Sequence, residues 1–141
     1  MQKESHKPLK LKATDFESLD VISTLTHDAI FYATSIDYNN NNFKMLINRF
    51  RWEEAITVSD SQSHFTREHA ILSFHNITKV NIFNVTNTTK PLVLMAIHAS
   101  KDEINLSLAF QQHITLNCQN ILVYCESAPK QWLTHNIHIA I

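Results

Sequence analysis

The 141-residue chain contains no glycine, where ordinary usage of ~7% would supply about ten. That absence excludes chemistry. A Walker A phosphate loop, a GxGxxG dinucleotide turn and a GxSxG nucleophile elbow each need a residue without Cβ at a strained or crowded position. Turns that require positive φ must draw on asparagine, the next most tolerant residue, and Asn39–Asn42 offers such a place. Cysteine is scarce as well. Two residues, Cys118 and Cys125, are too few for a disulfide scaffold. Charge of one sign is missing: 12 Lys+Arg stand against 13 Asp+Glu, for a formal net charge of −1. Such a chain has no general field to gather nucleic acid or anionic lipid, so neither partner is expected. No run approaches the ~18 apolar residues of a membrane span.

The first residues carry Lys3, Lys7, Lys10 and Lys12 without the apolar stretch of a signal peptide. We therefore expect a cytoplasmic protein with reduced thiols, and a flexible leader over residues 1–8. A single domain over 9–132 and a tail over 133–141 complete the expected organisation. A chain of this length buries enough surface to fold without a metal or a disulfide.

Leu9–Ala13 suits a short strand. Thr14 with Glu17 has the form of a capping box. Phe16, Leu19, Ile22 and Leu25 then recur at helical spacing, predicting a helix over Asp15–Thr26. Ala29–Ile36 and Phe43–Phe50 suit strands joined by the asparagine turn. The second is apolar on both faces, so the helix is expected to cover it. Trp52–Ser63 is a connection that ends in a polar, mobile run from Ser59. Further strands are expected at His69–His75, Thr78–Phe83, Leu92–His98, Ile104–Phe110 and Ile114–Cys118, with turns at Asn87–Lys90 and Lys101–Asp102. Asn120–Ser127 is expected to be a helix stopped by Pro129. Ile137, Ile139 and Ile141 alternate at strand spacing, so the tail is a candidate edge strand. The architecture expected is α+β: an antiparallel roll or partly closed barrel of seven to eight strands with a helix near each end, comparable in topology to a pleckstrin-homology domain.

Nine histidines invite a metal reading, but neither His135-x-x-His138 nor the pair His64 and His69 has ligand spacing, and no HExxH or CxxC occurs. No metal and no cofactor is expected. The cysteines are best placed as small buried apolar residues. Asn48-Arg49-Phe50-Arg51-Trp52-Glu53 is the densest candidate site. Arg49 offers a planar fork for a carboxylate or phosphate, and Trp52 a large amphipathic surface. The structural alternative has Trp52 closing one end of the core and Arg49 paired with an acid such as Glu53.

Leu9-Lys-Leu-x-Ala13, Asp15-x-x-x-Leu19-x-Val21-Ile22-Ser23 and Leu46-Ile47-Asn48-Arg49-Phe50-x-Trp52-Glu53 together resemble an uncharacterised, mostly alphaproteobacterial family of unknown function. Arg67-x-x-Ala70-x-Leu72-x-Phe74, Ile114-x-Leu116, Cys118 and Ala128-Pro129-x-x-Trp132 extend the likeness. The Asn-Arg-Phe-x-Trp-Glu segment is its most specific part. The resemblance implies no activity, cofactor or partner. It implies glycine in the late turns, where this chain has Gln111, Gln112 and Ala128.

With no catalytic constellation in view, the expectation is a non-catalytic binding or adaptor module. Arg49, Trp52, Glu53 and Arg67 are its binding candidates, and its partner is a protein, a small anionic ligand or a second copy of the chain. The alternative is a small enzyme combining Arg49 and Glu53 with a histidine, His69 or His75.

Overall fold

The computed structural model describes residues 7–57 and 66–129, with residues 55–57 as backbone only. The expectations for the early leader, Ser59–Ser63, His64, Trp132 and the 133–141 tail lie outside the described residues.

A single ten-stranded sheet dominates the molecule. It contains β1 (Lys10–Ala13), β2 (Ala29–Phe31), β3 (Ile36–Asn39), β4 (Asn42–Phe50), β5 (Arg67–Phe74), β6 (Ile77–Phe83), β7 (Leu92–Ser100), β8 (Glu103–Leu108), β9 (Gln112–Cys118) and β10 (Val123–Ser127). Its order is β1-β10-β5-β4-β2-β7-β8-β9-β6, with β3 beside β4. The pairings are antiparallel. Among the described residues the path does not close, and β1 and β6 lie at its ends. Among the described residues two α-helices accompany it, α1 (Phe16–Leu25) and the short α2 (Trp52–Thr57).

Helix α1 begins one residue later than its expected cap. Asp15 is the N-cap, accepting from the Ser18 backbone N–H at 2.8 Å, and the Ser18 hydroxyl closes the box from the other side. The Asp15 carboxylate therefore displaces Thr14 and Glu17 from the role predicted for them. Leu19 and Ile22 are buried. They bring the helix onto β7 and β1 and into the same core cluster as Phe43, Met45 and Ile47 of β4, and the Ile97 N–H reaches the Ser23 hydroxyl at 2.9 Å.

Ala29–Ile36 is broken after Phe31 by a 3-10 turn (Ala33–Ser35), and a new strand, β3, then runs into the asparagine turn. That turn pairs Asn39 with Asn42 across Asn40 and Asn41, both left-handed at φ 53° and 64°. This is the primed hairpin geometry that matches strand twist.

The expected C-terminal helix is instead strand β10. Val123 and Cys125 are buried, alternating with half-buried Tyr124 and Glu126. The segment lies between β1 and β5, hydrogen-bonded on both sides. An isolated two-turn helix has no comparable source of stability. The comparison with a pleckstrin-homology domain depended on a helix at this position.

One face of the sheet carries the core: Phe43, Met45 and Ile47 of β4 oppose Phe74, Leu72 and Ala70 of β5, followed by Val123 and Cys125 of β10. Period-two alternation extends that row to Arg49 and its partner Glu68. The core face thus ends in charge.

Candidate functional site

The Arg49 end of the sheet holds the segment singled out in the sequence. Arg49 is fully buried at 0% exposure, and each of its three nitrogens is hydrogen-bonded. Nε donates to Glu68 Oε2 at 3.1 Å, and Nη1 to the carbonyls of Leu25 and Phe50 at 2.9 Å each. Nη2 donates to Glu53 Oε2 at 2.5 Å and meets Glu68 Oε2 at 3.0 Å. Arg51, also buried, joins Glu54, Glu68 and the Lys7 carbonyl. The Ser127 hydroxyl donates to the Glu68 carboxylate at 3.0 Å, and the Leu9 N–H donates to that hydroxyl at 2.7 Å. This network ties β1, α1, β4, α2, β5 and β10 together.

Its electrostatics are those of paired charges, with the buried Glu53 Oε1 left without a hydrogen bond. Burial by itself pushes the Glu53 carboxyl up, but the Arg49 hydrogen bond and the charges of Arg49 and Arg51 outweigh it and hold it below its ordinary value. Burial likewise works against the Arg49 cation, and Glu53 and Glu68 more than reverse it. Beside them, burial pushes the Cys125 thiol up to about 12, against the opposing pull of Arg49. Burial, aided by Asp102, raises Cys118 also. Both are free and buried, with no thiolate to offer as a nucleophile.

The other candidates diverge from this cluster. Arg67 sits across from Phe50 on the opposite face, exposed, its guanidinium carbon 3.9 Å from the Phe50 ring centroid. Trp52 is half-buried, gives its indole N–H to the His27 carbonyl at 2.8 Å, and meets Phe50 edge-on. His69 is one residue from Glu68 and so points to the other side of the sheet. His75 packs edge-on against Tyr124. Among the described residues, the structure therefore brings neither His69 nor His75 to Arg49 and Glu53. Arg51 and Glu68 were missed. Glu68 becomes conspicuous only once β4 and β5 are placed in register, opposite Arg49.

A different site lies at the turn end of the sheet. The β9–β10 connection carries Gln119 and Asn120 between two adjoining clefts, each of about 420 Å³. The first lies between the β1–α1 junction (Thr14, Asp15, Phe16) and the β7–β8 turn (Ser100, Lys101, Asp102). The second is closed by Asn41, Asn76 and Thr78. Left-handed backbone at Asn41, Asn76 and Asp102 folds these turns toward one another. They are also pinned: the Asn41 amide reaches the Ile77 carbonyl at 2.9 Å, and the Cys118 N–H reaches the Asp102 carbonyl at 3.1 Å. Among the described residues, the side-chain amides of Asn76, Gln119 and Asn120 form no internal hydrogen bond, and all three residues are exposed. Phe16 contributes an aromatic ring that is 60% exposed. Nothing in the sequence marked this site, because its residues come from connections far apart in the chain.

Among the described residues, no three histidine, cysteine or acidic side chains gather as a metal would require, and no helix is long and apolar enough to cross a membrane. No curated protein and no solved structure matches the chain. A family model does match, over residues 9–137, and the chain belongs to that family, described as a protein of unknown function, DUF2948.

Proposed function

We propose that this domain is a non-catalytic binding module that takes a small, uncharged polar ligand in the paired clefts around Gln119 and Asn120. One observation carries the reading: the amides there are unpartnered among the described residues and exposed, while Arg49 is buried with each nitrogen hydrogen-bonded inside the protein. Primary amides supply two donors and an acceptor each without charge. With the Phe16 ring as an apolar wall, they suit a molecule bearing several hydroxyl or amide groups. Functional loops held by a rigid sheet are a common arrangement for such sites. Arg49 is fully buried and paired with acids of its own chain, out of reach of an anionic ligand, which favours the neutral one. The reading keeps the bacterial cytoplasmic setting expected from the sequence, and two free thiols support it.

Amide-resolved NMR spectra of the labelled protein test this. Titration with neutral polyols and acetamido sugars should move the side-chain NH₂ signals of Gln119 and Asn120, and Asn120→Ala should abolish the response. Shifts confined to Arg67 and Trp52 on titration with phosphate or citrate would restore the anionic reading. Silence toward every neutral compound would remove ours.

A further inference from the structure

Among the described residues the strand path ends at β1 and β6, with β3 off the path beside β4, and the two path ends differ in how they are protected. Strand β1 is four residues long and carries Lys10 and Lys12, both exposed. Short length and lysine are the usual devices that keep an edge from pairing with another chain. Strand β6 has seven residues, no proline, Lys79 as its single charge and a register shift between Ile77 and Lys79, which leaves the stretch Lys79–Phe83 regular. Among the described residues it pairs with β9 on one side and with nothing on the other.

Two of its four exposed side chains, Ile82 and Phe83, are apolar. Ile82 lies across from Ile114, a core residue at 0% exposure, and so faces the core side of the sheet, yet it is 44% exposed. Phe83, on the opposite face, is 42% exposed and stacks on His113 at 4.3 Å. The core row therefore runs out to the edge and stops uncovered. Beside it, the β8–β9 turn holds Phe110 at 88% exposure, and Asn84 fastens that turn through the Gln111 carbonyl at 2.8 Å.

We propose that β6 pairs with β6 of a second copy of this chain, antiparallel, about a two-fold axis at Asn81. The sequence of the strand selects both partner and register. In this alignment Val80 faces Ile82 of the partner subunit, apolar against apolar on the core side. Lys79 faces Phe83 of the partner subunit on the other side, where an ammonium lies well over an aromatic ring. A slip of one residue would set core-side residues against outward ones. Centring on Ile82 would put Val80 opposite Asn84, and centring on Val80 would put Lys79 opposite Asn81. The Asn81 register satisfies every pair, as an isologous contact requires. A strand pair of this length covers less than the ~800 Å² per partner of a standard interface. The dimer should therefore dissociate on dilution, with Phe110 widening the apolar surface beside the strand.

Sedimentation of the full chain across a concentration series tests the proposal. The wild type should pass from monomer to dimer with rising concentration. Phe83→Lys sets like charges opposite each other and should hold the chain monomeric with its melting temperature little changed. Adding Lys79→Glu to that variant turns repulsion into attraction and should restore the dimer. Independently, Asn81→Cys should form a covalent dimer with diamide, because the axis brings the two thiols together, while Asn84→Cys should not. A wild type that stays monomeric at every concentration would overturn the proposal. So would a dimer indifferent to Phe83→Lys, or a double variant that remains monomeric.

Discussion

Two arginines stood out in the sequence, and their environments assign them opposite weights. Arg49 is inside the protein with each of its three nitrogens hydrogen-bonded, while Arg67 lies on the surface against the Phe50 ring and the Asn48 carbonyl. Removing one partner of a buried ion pair leaves the other charge buried and uncompensated, at a cost of roughly 3–5 kcal/mol. Arg49→Ala strands Glu53, whose Oε1 is already without a hydrogen bond. We expect Arg49→Ala to lose about that much stability in urea melts, and Arg67→Ala to lose less than about 1 kcal/mol, the scale of an exposed cation–ring contact. Equal losses would mean that the Arg49 cluster is not what holds this end of the sheet.

At the scale of elements, the absence of glycine shapes the turns. Asp28, Asn40, Asn41, Asn76, Asn84 and Asp102 all adopt positive φ, the region that Asn and Asp tolerate best after glycine. The β8–β9 hairpin breaks this pattern, with Phe110 at φ 64° and Gln111 at φ 60°. A side chain with Cβ costs about 1–2 kcal/mol in that conformation. Gln111→Gly should recover part of it and stabilise the protein by about 1 kcal/mol, read as a raised denaturant midpoint at unchanged m-value. A neutral or negative effect would show that the turn is held by contacts of the Gln111 side chain. The resemblance to the family implied glycine in these late turns, and the strain is what its absence leaves behind.

At the scale of the whole molecule, the titrating groups favour neutral pH. Burial lowers the pKa of His69, and burial with nearby Lys44 lowers that of His75, both below the ordinary 6.5. Glu53 is held below the ordinary 4.5 by its arginines despite its burial. Each group binds a proton less readily in the folded chain than in the unfolded one, so stability falls as pH falls. The histidine contributions are complete above pH 6.5 and are lost below it. The Glu53 contribution is complete above pH 4.5 and is lost as pH drops through its depressed folded value. Melting temperature should therefore decline from pH 7 downward, with Glu53→Gln flattening the most acidic part of the decline. A melting temperature that rises between pH 7 and 5 would contradict the assignment.

Local pattern by itself determined a good deal. The spacing of Phe16, Leu19, Ile22 and Leu25 sufficed for α1, because a helix is chosen by contacts within two turns. The asparagine run sufficed for the β3–β4 hairpin, because positive φ is a property of single residues. The alternation of Ile104, Leu106 and Leu108 marked β8 for the same kind of reason. Tertiary structure decided the rest. Asn120–Ser127 has apolar residues that fit a helix or a strand, and only the vacancy between β1 and β5 makes it β10. The pairing of Arg49 with Glu53 could be anticipated four residues away, whereas Glu68 enters through strand register. The clefts at Gln119 and the bare edge at β6 depend on which strands end up as neighbours. Long-range pairing is a sum over the whole sheet, and no segment carries that information alone.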